Sequence, residues 1–476
     1  MSENTVASSL FWKMLERFGV QGSSFVLSII LARILTPDLY GILALMLIFT
    51  SIANVFVQSG LNTALIREKK VEDGDYSSVF WLSFTVATCL YIILFLAAPL
   101  IEKFYDVEGL ATPFRILALI LLPGAFNSVQ VAKISRNLEF KSLFKSHLLS
   151  VLLSGSLGIY LAYNGAGLWS LVAKECANSF FNCIFLFWYV RWLPSIELNL
   201  VRLKKLFSFG WKILVTVLID NVYNDFRSLV IGRKYDAATL GFYERGRQFP
   251  MFLINGINGA VQSVMLPAFA KKQDDKQSAF SLMRKSITLT SYLLFPLMAI
   301  LAASGESVIR LLLSDKWLPS LPYMQIYCLM LCIWPLHTCN CQMINAMGRS
   351  DIFLKIEILK KSIGLLGLTI ALIVFDSPLA IAVSAAITGY IDFFINAYPN
   401  KKLVGYSVFK QIKDIYNPFL ISIALFFFLK FFDNFILNDV LMILLKVSLG
   451  ISLYSILMLI FRPSSLFELV KILKRR

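Results

Sequence analysis

The sequence predicts an all-α polytopic membrane protein. It should have about fourteen transmembrane helices, in two pseudo-symmetric six-helix lobes plus a C-terminal helix pair, with both termini cytoplasmic. Three observations predict this. Apolar segments crowd the 476-residue chain, its loops alternate in charge, and one polar stripe occurs twice, about 200 residues apart.

Composition sets the class. The chain is 58% hydrophobic and 16% charged, with a mean hydropathy of +0.71, whereas soluble domains carry about 25% charged residues. A spanning helix needs roughly 20 apolar residues. Such segments fall at about 10–35, 39–61, 79–101, 114–134, 143–163, 167–190, 207–231, 239–269, 284–304, 320–346, 352–375, 378–398, 416–436 and 439–461. They leave no stretch for a soluble domain. Met1 to Leu10 lacks a basic n-region, so the first span is expected to act as its own insertion signal. The segment 239–269 is long, opens on Glu244, Arg245 and Arg247, and is expected to overhang the bilayer or to kink near Pro250.

Loop charge gives the orientation. One set of loops carries Arg67, Lys69, Lys70, then Lys133, Arg136, Lys141, then Arg191, Arg202, Lys204, Lys205. It continues with Lys271, Lys272, Lys276, with Arg349, with Lys401, Lys402, Lys410, Lys413, and with the tail Lys471, Lys474, Arg475, Arg476. The alternate set has only Lys103, Arg233, Lys234, Arg310 and Lys316. Basic loops stay in the cytoplasm. Both termini are therefore expected there, which requires an even number of spans. The net charge of +16 is mostly this bias and needs no nucleic acid to explain it.

The stripe gives the repeat. Lys13, Arg17, Gln21, Ser24 and Ser28 recur at helical spacing, as do Lys212, Thr216, Asp220, Tyr223, Asn224 and Arg227. Trp12-Lys13 matches Trp211-Lys212, Arg33 matches Arg233, and Gly41 matches Gly241. Asn54 and Gln58 match Asn258 and Gln262, and Pro123 and Gln130 match Pro335 and Gln342. The expected lobes are 1–200 and 201–400, with helices 13 and 14 and a basic cytoplasmic tail in 401–476. Six spans per lobe make the repeats parallel, about an axis along the membrane normal. A polar face duplicated inside apolar halves suggests a transport pathway between them.

Charges within spans are costly. Each costs about 2.5–3.5 kcal/mol at mid-bilayer. A dozen facing lipid would cost on the order of 30 kcal/mol, more than the roughly 5–15 kcal/mol that holds a typical domain folded. Glu16, Arg17, Lys174, Glu175, Lys212, Asp220, Asp225, Arg227, Glu244, Arg245, Arg247, Asp392 and Lys446 must therefore face water, pair, or snorkel. Lys13, Arg33 and Lys212 lie near span ends, where snorkelling suffices. Lys174 with Glu175, and Asp225 with Arg227, read either as structural pairs between helices or as functional charges. Asn54, Gln58, Asn258 and Gln262 read either as interhelical glue or as polar cavity lining with Gln21 and Asn224. Arg17, Lys212 and Arg227 are the candidate cavity cations. An arginine fork suits phosphate oxygens. Asp220 and Asp225, competing for the same cations, are the candidate coupling acids.

Other chemistry has no motif. The seven cysteines, Cys89, Cys176, Cys183, Cys328, Cys332, Cys339 and Cys341, all fall inside spans and read as packing residues. Cys339 and Cys341 point to opposite sides of a helix, so no metal site is expected. There are two histidines, His147 and His337, no Ser/His/Asp arrangement and no Walker motif. No cofactor is expected.

The stretches LARILTPDLYGILAL (31–45), AKISRNLEFKSLFK (132–145) and LLLSDKWLPSLPYMQIYCL (311–329) resemble the polysaccharide-exporter branch of the multidrug/oligosaccharidyl-lipid/polysaccharide (MOP) transporter superfamily. Within it the chain is most similar to flippases for exopolysaccharide, capsule or O-antigen repeat units. The resemblance runs over nearly the whole chain. It implies an undecaprenyl-diphosphate-linked oligosaccharide as cargo, moved from the cytoplasmic to the periplasmic leaflet of a bacterial inner membrane by alternating access. It also implies a cationic central cavity, placed here on Arg17, Lys212 and Arg227, and an H+ or Na+ gradient. A polysaccharide polymerase and a chain-length regulator are the implied protein partners. The alternatives are a drug or metabolite exporter of the same superfamily, a peptidoglycan-precursor flippase, and a membrane-embedded polymerase. The outward loops near 102–113 and 305–319 are too short to build a polymerase active site alone.

Overall fold

A computed structural model describes residues 11–461 except 59, 69, 197, 198, 436 and 437. Lys69 and the basic tail residues Lys471, Lys474, Arg475 and Arg476 lie outside the described residues. Every described element is helical. Eleven described helices are long and apolar enough to cross a membrane, or twelve if the bent pair Leu200–Ser208 and Gly210–Lys234 is one span. The protein is an all-helical polytopic membrane protein. The chain divides into two compact units, Met1–Gly241 and Phe242–Arg476.

In the first unit the helices are α1 (Phe11–Ile34), α2 (Pro37–Gln58), α3 (Leu61–Arg67), α4 (Asp73–Tyr105), α5 (Ala111–Asn137), α6 (Phe140–Tyr163), α7 (Leu168–Val190) and α8 (Leu200–Lys234). Local chemistry starts and stops them. Pro37 opens α2, where a missing N–H costs nothing. Glu72 and Asp75 form a reciprocal capping box at the start of α4. The Asn199 side chain accepts from the Arg202 N–H at the start of α8. α6 and α7 form an antiparallel pair, with α1 on α6 and α5 on α7. Leu31, Leu43, Met46, Phe114, Leu117 and Leu171 fill the core between these helices.

The repeat begins its second copy at α8, yet α8 packs on α2, α3 and α4. The reason is a strap of chain that precedes it. Trp192 joins the Tyr76, Phe80 and Phe126 rings. Ser195 N donates to Ser77 Oγ and Asn199 N to Ser78 Oγ, at 3.0 and 2.9 Å. Arg202 then reaches Glu72 and Asp75 (2.8 and 3.0 Å), and Lys205 reaches Glu68 (2.9 Å). Hydrogen bonds from Arg202 and Lys205 hold the Glu72 and Glu68 carboxyls below the usual carboxylate range. Leu203 and Leu206 complete a small core with Leu61, Leu65 and Val79. Beyond it α8 bends by 46° at residue 209, where the backbones of Gly210 and Gly60 touch.

α9 (Ala237–Ala270) runs from one unit into the other. Pro250 and Pro267 lie inside it without interrupting the helix. At 34 residues it is about 51 Å long, well beyond a hydrocarbon core of roughly 30 Å. The second unit continues with α10 (Lys276–Ala303), α11 (Gly305–Leu313), α12 (Leu321–Leu331), α13 (Trp334–Ala346), α14 (Ser350–Phe375), α15 (Pro378–Ala397), α16 (Asn400–Val404), α17 (Val408–Phe431) and α18 (Asp439–Phe461). α12 and α13 divide the span expected at 320–346. α17 packs along α10, and α18 packs on α10, α11 and α17. A buried ammonium secures the pair: Lys446 donates to the Ala303 carbonyl at 2.8 Å and to Asp433, which Lys430 also meets at 3.2 Å. Lys446 therefore pairs locally rather than snorkelling.

The repeat-matched glycines meet. A Cβ on Gly41 would stand 1.7 Å from the Ala237 carbonyl oxygen, and one on Gly241 would stand 2.2 Å from that of Pro37. Only glycine permits this approach of α2 to the first turn of α9, and the atoms in the way are backbone. Overpacking costs about 1–3 kcal/mol. Gly41→Ala should therefore lower the thermal midpoint of the purified protein. Gly22→Ala, whose methyl meets nothing within 4 Å, should leave it unchanged.

Candidate functional site: charged faces of α1 and α8

The α8 stripe divides by burial. Lys212, Asp220 and Asn224 are exposed at helical spacing with Thr216, whose hydroxyl donates to the Lys212 carbonyl at 2.9 Å. Arg227 instead turns into the unit. It is 9% exposed, lies over the Tyr223 ring at 5.5 Å, and its Nε has no hydrogen-bond partner. Asp225 faces α2, where Ser51 Oγ donates to it at 3.4 Å. The sequence placed Arg227 on one face with Lys212 and Asp220. The 100° step keeps Arg227 in the middle of that face, so it is the packing of α8 on α2, α3 and α4, not the helical period, that covers it while Lys212 and Asp220 stay exposed.

On α1, Lys13, Arg17 and Gln21 are exposed while Ser24 and Ser28 are half-buried. This face spans a π-helical turn, Glu16–Val20, a local widening often found at functional sites. Glu16 turns away from the face. Lys13 Nζ donates to it at 2.6 Å, and His147 Nδ1 of α6 lies 3.1 Å from its other oxygen. α1 rests on α6 whereas α8 rests on α2, α3 and α4, so the two stripes ride on different neighbours.

The amide candidates take different places. Gln58 donates to Asn54 at 2.9 Å, and both pack over Gly124 of α5. In the second unit Thr338 of α13 donates to Asn258 at 2.6 Å, and Gln262 is exposed. Three of the four are thus engaged within or between helices of their own unit. Of the paired charges, Lys174 and Glu175 bond each other at 2.7 Å, and Arg245 sits buried over Trp317 with Gln248 as partner.

Sequence reasoning missed two clusters. Lys360 of α14 pairs with Glu357 at 2.5 Å and lies in the field of Asp392 of α15. Asn340 and Gln411 exchange a pair of 3.0 Å hydrogen bonds, and Asn400 donates to Asn340 at 2.8 Å, all three fully buried. Asn340 was readable as an amide inside a span, whereas Asn400 and Gln411 lie in the basic stretch read as a loop between spans. Partner choice was not readable.

A charge exposed halfway along an apolar helix is tolerated in water and not in hydrocarbon. The model of the family described as "Polysaccharide biosynthesis protein" matches residues 30–322. The chain belongs to this family. It is 26% identical to the teichuronic acid biosynthesis protein TuaB of Bacillus subtilis, over 79% of this chain and 78% of that one. It is 24% identical to the succinoglycan biosynthesis transport protein ExoT of Rhizobium meliloti, over 69% and 67%. It is 21% identical to the lipopolysaccharide biosynthesis protein WzxC of Escherichia coli, over 89% and 86%. Its fold is that of a lipid II flippase MurJ structure in an inward closed conformation, with a TM-score of 0.76, 16% identity, and coverage of 95% and 98%. An inward-facing multidrug MATE transporter of the MOP superfamily follows at 0.62 and 14% identity, with coverage of 83% and 100%. The resemblance drawn from residues 31–45, 132–145 and 311–329 is borne out.

Burial separates the cations experimentally. Removing a buried charged group costs several kilocalories per mole when its surroundings stay behind, whereas exposed substitutions stay within about 0.5 kcal/mol. Arg227→Ala should lower the thermal midpoint and the amount of protein in the membrane. Arg17→Gln, Lys212→Gln and Asp220→Asn should leave both near the wild type.

Proposed function

We propose that this protein flips an undecaprenyl-diphosphate-linked oligosaccharide from the cytoplasmic to the periplasmic leaflet of a bacterial inner membrane, for exopolysaccharide, capsule or O-antigen synthesis. The observation that carries this reading is the polar stripe exposed along α8, Lys212, Thr216, Asp220 and Asn224, in a chain whose relatives are named for polysaccharide biosynthesis. A diphosphate presents several oxygens to donors. Arg17 and Lys212 supply exposed cations for it, and charge-assisted bonds of this kind contribute roughly 1.5–3 kcal/mol each. Arg227, buried on the same helix, is the third candidate cation. Gln21 and Asn224 give neutral donors for sugar hydroxyls. Asp220 and Asp225 would compete for the same cations, so binding of H+ or Na+ there would release or recruit them.

In this reading all fourteen helical segments cross the bilayer and both termini are cytoplasmic. The lobes are 1–200 and 201–400, with 401–476 as the added pair and tail. The chemistry is translocation without bond cleavage. A polymerase and a chain-length regulator would act on the delivered unit.

Topology is checked by labelling intact cells. Single cysteines near Lys204, Lys272 and Lys402 should resist a membrane-impermeant reagent, and those near Gly165 and Asp376 should react. Reaction near Lys272 would overturn the fourteen-span arrangement. Function is checked in liposomes with a diphosphate-linked polyprenyl oligosaccharide. The wild type should move it between leaflets intact, and Arg17→Gln should reduce the rate by about tenfold to a hundredfold, the loss of one such bond. Arg17→Lys should restore part of it, since charge remains while the fork is lost. A protein-dependent cleaved or elongated product would place the chain among enzymes. Movement of lipid-linked peptidoglycan precursor alone would make it a flippase for that cargo.

A further inference from the structure

The bond between Glu16 and His147 is unlike the other ionic contacts within the spans. Lys174–Glu175 and Lys360–Glu357 join permanent cations to acids on the same helix. Glu16–His147 instead joins two helices, α1 and α6, through the one side-chain type whose ordinary charge change falls near neutral pH. It also lies at the π-turn of α1, so the contact sits where that helix is least regular. Both groups are recessed without being sealed: their side chains are 14% and 25% exposed. His147 is seven residues into α6, about 10 Å from the start of that helix, within reach of water from one side.

We propose that Glu16 and His147 form a proton-binding joint that couples the protonation of His147 to the position of the first two turns of α1. The step is simple. His147 takes one proton from the aqueous phase and becomes imidazolium. The contact changes from a hydrogen bond of a neutral ring to an ion pair with the Glu16 carboxylate. Loss of the proton to water reverses it. No other reactant is needed.

The surroundings favour a joint over a fixed strut. Lys13 and His147 are the charged groups whose fields act on Glu16. Lys13 also lies over the Phe140 ring at 5.4 Å, which holds it on the outer side of the carboxylate. Of the other charged groups on α1, Arg17 is exposed on the substrate-facing stripe. On α6, Lys141 sits over the Trp12 ring at 5.4 Å and Lys145 is exposed. On α7, Lys174 and Glu175 bond each other, and on α5, Lys133 is held by Asp73 and Arg136 by the Leu65 carbonyl. With Glu16 already engaged by Lys13, protonation of His147 adds a second cation to one carboxylate. In this turn α1 is also held on α6 by the Lys13–Phe140 and Lys141–Trp12 contacts and by aromatic packing, Trp12 against Phe144 at 5.9 Å and Gly19 against the same ring. Neighbouring Arg17 would move with Glu16, because the two are consecutive in the π-turn. This consequence rests on the transport reading; the proton site itself does not.

The chain's two histidines make the test direct. Full-length protein labelled with 15N-histidine in nanodiscs has two imidazoles, and His147→Gln assigns the signals. The His147 signal should respond to pH, and Glu16→Gln should change that response. A His147 signal that does not respond to pH, or a response that Glu16→Gln leaves unchanged, would overturn the proton site. Flipping in liposomes then reads the coupling. The wild-type rate should vary with pH over the range in which the His147 signal responds, and His147→Gln should flatten that profile while folding and membrane level are kept. A wild-type profile that is flat, or one that His147→Gln leaves unchanged, would overturn the coupling. Absence of any flipping by the wild type would sink the cargo reading and leave the titration to decide the site.

Discussion

Every charge in this protein answers to one constraint: hydrocarbon does not solvate ions. The structure meets it in three ways. Some charges are neutralised by a neighbour, as Lys446 is by Asp433 and the Ala303 carbonyl. Some are folded inward over an aromatic face, as Arg245 is over Trp317 and Arg227 over Tyr223. Others, Arg17, Lys212 and Asp220 among them, lie on exposed helix faces. The third group is the informative one, because a helix that could have been apolar throughout keeps groups that hydrocarbon would not solvate.

The same economy governs the backbone. In a bilayer there is little hydrophobic gain in pressing two apolar helices together, so close approach depends on small residues. Gly41 with Gly241, and Gly60 with Gly210, bring chains into direct backbone contact within the first unit. These contacts give α8 two different halves. Its first turns are held by the strap and by the Arg202 and Lys205 ion pairs, and its longer half departs at 46° carrying the polar stripe. The Arg202–Glu72 and Lys205–Glu68 pairs are largely exposed and contribute little each, while Asp75 is buried. The aromatic packing of Trp192 and the serine hydrogen bonds of α4 do more to fix the strap.

Much of this was legible in the residues. Pro37, Asn199 and Asp75 mark helix starts by local chemistry that any sequence window contains. The matched glycines were visible as a repeat, though not as a contact. The candidate cations were visible as a stripe. Their separation into exposed Lys212 and buried Arg227 was not, because periodicity gives a helix face and not the neighbour that covers it. His147 and Glu16 lie 131 residues apart, and no local pattern pairs them.

The sequence by itself determined the class, the apolar segments, the charge bias of the loops, the family, and which residue types lie on which helix face. Those follow from composition, period and short-range sterics, which act within a few residues. Only the tertiary structure decided that α8 packs on the first unit, that Arg227 is covered, that Lys446 finds Asp433, and that Glu16 meets His147. Each of these depends on which helices become neighbours. That choice is made by long-range packing in a medium where every helix is apolar, so hydropathy alone does not distinguish one partner from another.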